Sequence, residues 1–165
     1  MNVKEVTQLA RDIRLETLKA LTQLGFGHYG GSMSVVETLA VLYGAVMKID
    51  PADPDWPERD YFVLSKGHAG PALYSTLAIK GYFPIEELST LNHNGTRLPS
   101  HPDRLKTRGV DATTARWGRG SPLLAAWRCR TSWRAGQTGS SALLAMVNSM
   151  KASAGRRSSL LPTIA

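Results

Sequence analysis

Val6, Leu9, Ala10, Ile13, Ala20, Leu21 and Leu24 recur three and four positions apart, which places them on one face of a helix. Thr17 is the one polar member of this stripe, and Lys4, Arg11, Arg14 and Lys19 lie off it, so Val3 to Leu24 is predicted as a packing helix. Gly25, Gly27, Gly30 and Gly31 end it. A run so rich in glycine is not expected to be helix interior, and it permits close backbone approach to a ligand or another segment. The next apolar period predicts a second helix over Val35 to Met47, with Ser32 or Ser34 as N-cap and Glu37 placed for a capping box. Asp50 to Arg59, rich in Pro and Asp, reads as a surface connection. Tyr61 to Leu64 is a short apolar run led by β-formers and reads as a buried strand. Ser65 to His68 breaks that run, and helical spacing takes over from Ala69 to Lys80, with Pro71 near its start and Gly81 as its stop. Pro84 to Leu88 starts a short helix, and His93 to Val110 is loop-like.

A strand that ends in a polar turn and feeds a helix is where α/β proteins place ligands. Gly67 lets the backbone bend there, and Lys66 and His68 add polar groups beside N–H donors that favour anions. On its own, His68 reads equally well as a cap on the helix. It is not alone: His28 and His101 also sit in loops stiffened by glycine or proline. Histidines on separate loops between regular elements point to a shared site. No H-x-x-x-H or C-x-x-C spacing occurs, so no residue is assigned to a metal. His93 reads as a surface residue.

Composition changes the picture at one point. The chain has 165 residues, enough for one modest domain, and a single cysteine, Cys129, which excludes an internal disulfide framework and fits a cytoplasmic protein. No apolar run is long enough to cross a bilayer, and the N-terminus is too charged for a signal peptide, so no membrane partner is expected. The net charge of +7 is unevenly spread. Residues 1–114 hold 12 basic and all 13 acidic side chains, whereas residues 115–165 hold 8 basic ones and no acid. About six acids are expected in fifty residues of ordinary protein, so this tail is compositionally foreign to what precedes it.

Gly27 to Ser32, Arg59 to Ala69, Gly81 to Pro84 and His101 to Asp103 together resemble the N-terminal part of transketolase, more closely the separate N-terminal subunit of its two-chain form. The related enzyme that makes deoxyxylulose phosphate shares the first of these motifs but resembles the second poorly. The resemblance covers residues 5–114. Tyr29 stands where that family commonly has proline, and Ser100 where it has glycine. The fold implied is α/β: an incomplete thiamine-diphosphate-binding (transketolase N-terminal) domain over 1–114, helix-dominated, followed by an irregular tail over 115–165. The activity implied is transfer of a two-carbon ketol unit between sugar phosphates, with thiamine diphosphate and Mg2+ as cofactors. The partner implied is a C-terminal transketolase subunit. The resemblance makes His28, His68 and His101 catalytic. His28 and His101 would face substrate hydroxyls and the developing oxyanion, and His68 with Gly67 would lie by the cofactor diphosphate. Imidazoles suit these tasks because they shuttle protons and donate to an alkoxide as charge develops.

After Thr113 and Thr114 the family pattern continues Gly-Ser-Leu-Gly-Gln-Gly and later reaches Gly-Asp-Gly-Glu, whose Asp holds the metal. Here Ala115 to Gly120 and Leu144 to Asn148 read otherwise. A one-base shift after codon 114 permits both patterns within codon degeneracy. Trp117 is TGG and Gly118 begins GG, which forces GGG, a glycine codon. Met146 is ATG and Val147 begins GT, which forces GGT, again glycine. The tail is therefore expected to be out of frame, disordered or weakly helical, and the isolated chain inactive. The rival reading is a small basic protein whose Arg/Trp-rich tail binds nucleic acid through Trp117, Trp127 and Trp133. Arginine without clustered lysine speaks against a nucleic-acid partner. A third reading is a disordered interaction tail.

Overall fold

The computed structural model describes residues 2–64 and 66–113, together with the Ala145–Met146 strand. The rest of the 115–165 stretch, with its three tryptophans, lies outside the described residues.

Helix α1, Val3–Leu24, follows the apolar stripe. Asn2 and Glu5 close a reciprocal capping box, and Gly25 ends the helix at φ +78°, a left-handed conformation that glycine adopts without steric cost. The buried face carries Leu9, Ala10, Ile13, Ala20 and Leu21. Thr17 shares it because its hydroxyl donates to the Ile13 carbonyl at 2.6 Å, so no buried polar atom is left over.

The glycine-rich stretch departs from expectation. Tyr29–Met33 forms a short helix, α2, with Gly30 and Gly31 inside it. One turn flanked by tertiary contacts tolerates what a long helix does not: Gly31 lies against Lys66 and the His68 carbonyl. The predicted caps also differ. Helix α3, Val36–Val41, has Val35 at its N-cap and no side-chain capping bond. The Ser34 hydroxyl instead donates to the Gly31 carbonyl at 3.0 Å and accepts from Lys66 Nζ at 2.6 Å. Ser32 Oγ faces the His68 carbonyl at 3.5 Å. Glu37 is drawn away to an ion pair with Arg14 of α1. The predicted Val35–Met47 helix is in fact α3 followed by a π-helical turn, Leu42–Val46.

Asp60 then closes the 50–59 connection, with its backbone N–H on the Lys48 carbonyl at 2.9 Å and its carboxylate accepting the Lys48 N–H at 2.8 Å. Strand β1, Phe62–Val63, is shorter than the predicted run, although Leu64 beyond it is also buried. Strand β2, Ala145–Met146, lies parallel to it, with Phe62 opposite Ala145 and Val63 opposite Met146. The Phe62 N–H is bonded to the Asp111 carboxylate at 2.7 Å. Arg59 pairs with the other carboxylate oxygen at 2.6 Å and covers the Tyr61 ring at 4.2 Å. Burial pushes the Asp111 carboxyl above its ordinary range, and the Arg59 guanidinium pulls it back.

A 3-10 turn, Gly67–Ala69, leads into helix α4, Gly70–Ile79. Every residue from Gly70 to Ala78 is buried, so α4 is the axis of the core. Its polar positions are satisfied within the helix, Ser75 on the Pro71 carbonyl at 3.0 Å and Thr76 on the Ala72 carbonyl at 2.8 Å. Helix α1 packs on both α3 and α4. Gly81 stops α4 at φ +91°, and the short helix predicted after Pro84 is a 3-10 helix, Ile85–Thr90. Residues 91–113 carry no regular element.

Candidate active site

The three histidines predicted from separate loops meet. His28 precedes α2, His68 lies inside the 3-10 turn after β1, and His101 lies in the loop after Leu98. The His28 and His68 rings are 4.1 Å apart between centroids and nearly perpendicular, at 87°. His68 and His101 are 5.0 Å apart at 74°. The His68 ring is thus the middle of an edge-to-face row. His28 is exposed and the other two are half-buried, so the row opens to solvent at one end.

His68 does not cap α4. The N-cap of that helix is Ala69, which makes no side-chain capping bond. The chain reaches this geometry because β1 delivers the turn from the buried side, while α4 leaves it directly into the core. Gly67 is buried at the start of the turn. Lys66 reaches back to Ser34 and so ties the turn to the end of α2. His93 is exposed.

Two residues that hold the row do not stand out in the sequence. Gly70 is one: a Cβ there would stand 3.0 Å from Pro102 Cδ and 3.2 Å from the Ser100 carbonyl oxygen, so α4 and the His101 loop touch backbone to backbone. Its place between Ala69 and Pro71, beside the Ser-Lys-Gly-His turn, is the available signal. Tyr74 is the other: its hydroxyl donates to the Pro99 carbonyl at 2.7 Å. Nothing in its surroundings in the sequence separates it from an ordinary core residue.

The donor set is three imidazoles and one ammonium. It suits hydroxyls and anionic oxygens, which accept or exchange protons. It does not suit a hard divalent cation, which takes carboxylate and carbonyl oxygens. Among the described residues there is no group of three His, Cys, Asp or Glu side chains that could hold a metal ion.

A helix-dominated α/β unit with an imidazole row at the end of a buried strand gathers polar groups where α/β folds place ligands. Residues 5–129 match the family model described as transketolase, thiamine diphosphate binding domain. The chain belongs to this family, and the match runs past Thr114. The 6-deoxy-6-sulfo-D-fructose transketolase subunit SqwG of Clostridium sp. (strain MSTE9) is 60% identical over 111 residues, covering 67% of this chain and 40% of that protein. One of the subunits of the apulose-4-phosphate transketolase of Actinobacillus succinogenes (strain ATCC 55618 / DSM 22257 / CCUG 43843 / 130Z) is 39% identical over 125 residues, covering 74% of this chain and 45% of that protein. Among solved structures, transketolase from Leishmania mexicana superposes with a TM-score of 0.66 at 36% identity, over 70% of this chain and 17% of that one. The chain therefore spans less than half the length of these relatives.

Proposed function

We propose that this chain is the N-terminal part of a cytoplasmic two-chain transketolase, which moves a two-carbon ketol unit between sugar phosphates. The observation that carries this reading is the edge-to-face row of His28, His68 and His101 at the end of β1. His28 and His101, at the two ends of the row, bind substrate hydroxyls and donate to the oxygen on which negative charge develops. His68 takes the middle position beside Gly67, where it would help hold the cofactor diphosphate and pass protons along the row. Lys66 adds a positive charge on the same side. Thiamine diphosphate supplies the electron sink for breaking the ketose carbon–carbon bond. The named relatives act on a sulfonated and a phosphorylated sugar. The higher identity to the former makes a sulfonated ketose the second substrate to try.

The isolated chain is inactive in this reading. The Mg2+ that anchors the cofactor needs oxygen ligands, and the stretch that would supply them is read in the wrong frame after codon 114. The partner is a C-terminal transketolase subunit. Sequencing the gene across codons 112–120 tests the frame: a neighbouring frame with no Gly-Asp-Gly downstream would end that idea. Calorimetric titration of thiamine diphosphate and Mg2+ into the chain as it stands, and into a frame-restored chain, tests the cofactor site. Weak or no binding is expected in the first and micromolar binding in the second. Tight binding in both would show the cofactor determinants to lie elsewhere. A ketol-transfer assay with the partner subunit tests the reaction, and a frame-restored pair that binds cofactor yet turns over neither substrate would refute the function.

A further inference from the structure

The loop that carries His101 has no regular secondary structure, yet it is closely held. The Thr107 hydroxyl closes its base on the Arg97 carbonyl. Leu98 and Pro102 are fully buried beneath it. Gly70 sets how near the loop comes to α4, through the Pro102 and Ser100 contacts. One side chain reaches the loop from within the core. Tyr74 is completely buried in the middle of α4, and its hydroxyl donates to the Pro99 carbonyl at 2.7 Å. A buried phenol is costly unless its hydroxyl is bonded, so its partner fixes where the loop can sit. His101 is two residues from Pro99 and next to Pro102.

We propose that Tyr74 is a positioning residue for His101: its hydroxyl fixes the 97–107 loop so that the His101 ring meets His68. The placement of the ring is a statement about this chain alone; its effect on turnover rests on the function proposed above. The reacting groups of such a site must be held closely, and misplacement by about 1 Å can cost on the order of a hundredfold in rate. Loss of one of several restraints on the loop is expected to cost about tenfold.

The test begins with the full chain labelled at its histidine rings. With four histidines, the ring signals are assigned by single His→Asn replacements. Tyr74→Phe removes one oxygen and is expected to move the His101 and His68 signals. Ser75→Ala removes a neighbouring buried hydroxyl that bonds only within α4, and is expected to move none of them. Thr107→Val, which frees the base of the same loop from the Arg97 carbonyl, loosens the loop independently, should also move the His101 signal, and serves if Tyr74→Phe does not fold. Unmoved His101 and His68 signals in the folded variants would overturn the proposal whatever the enzyme does. In the frame-restored pair, Tyr74→Phe should lower kcat about tenfold with a smaller change in KM, and should cost nothing further in a His101→Asn background. A full second loss in that background would show that Tyr74 acts through some other group and would overturn the proposal. If His101→Asn alone cost no activity, the catalytic reading would fall, and the ring signals would still decide the positioning.

Discussion

At the scale of single residues, the proposed function sets side chains that would touch substrate apart from those that hold the fold. His28 and His101 stand at the two ends of the imidazole row. If the proposed function holds, replacing either by Asn in the frame-restored chain with its partner subunit is expected to lower kcat by about a hundredfold, the lower end of what a positioned acid–base group contributes; steady-state kinetics with a ketose donor and an aldose acceptor would measure it. His93, exposed and outside the row, should be replaceable with no loss in the same assay. Arg59 and Asp111 do a different job. Their side chains are only 12% and 3% exposed, and the carboxylate also takes the Phe62 N–H. Asp111→Ala leaves a largely buried guanidinium without its counter-charge and a strand N–H without its acceptor. A loss of about 3–5 kcal/mol is expected, read from the midpoint of a urea unfolding curve. The histidines were legible in the sequence because each stands in a loop made stiff by Gly or Pro. The ion pair was not, because its members are 52 positions apart and neither lies in a spacing pattern that signals pairing.

At the scale of elements, the legible ones are those whose local pattern and tertiary role agree. Helix α1 has an apolar stripe, a capping box and a glycine stop, and each of these alone predicts it. Helix α4 is legible from its length and its bounding Pro and Gly, although it is buried all round and shows no polar face. Helix α2 and the π-helical turn after α3 are not legible, since glycine disfavours the first and nothing local marks the second. The two glycines at the site make opposite predictions. A Cβ at Gly31 would meet its nearest atoms at 3.5–3.7 Å, ordinary contact, so Gly31→Ala should be tolerated. At Gly70 the Cβ would meet a buried proline ring and a backbone oxygen at 3.0 and 3.2 Å, and neither can yield easily. Overpacking there costs about 1–3 kcal/mol and outweighs the gain in helix propensity of about 1 kcal/mol. Gly70→Ala is therefore expected to lower the thermal midpoint and Gly31→Ala to leave it nearly unchanged, both measured by circular dichroism.

At the scale of the whole molecule, the core around α4 includes three tyrosines whose ionisation is held back by burial. Tyr43 and Tyr74 are raised well above their ordinary value, and Tyr82 is pushed up to about 12. In the unfolded chain each ionises near pH 10. Below that pH their contribution to stability is fully present. As the pH climbs from about 10 through about 12, the unfolded state loses protons that the folded state keeps, and stability falls. The unfolding midpoint is thus expected to be insensitive to these groups at neutral pH and to drop steeply above pH 10. A pH series of urea titrations followed by tyrosine absorbance would check it, and a flat response up to pH 12 would mean that the tyrosines are hydrated in the fold. Helices α1 and α4, the short strand and the positions of the three histidines between regular elements were legible in the sequence, because they depend on local spacing, capping and the special backbone of Gly and Pro. That the histidines form one row was settled only by tertiary structure. His28 and His101 are 73 positions apart, and what joins them is a buried helix, a backbone-to-backbone contact at Gly70 and one tyrosine hydroxyl. Each of these is a long-range contact whose energy comes from excluding water, and no local pattern along the chain encodes such a contact.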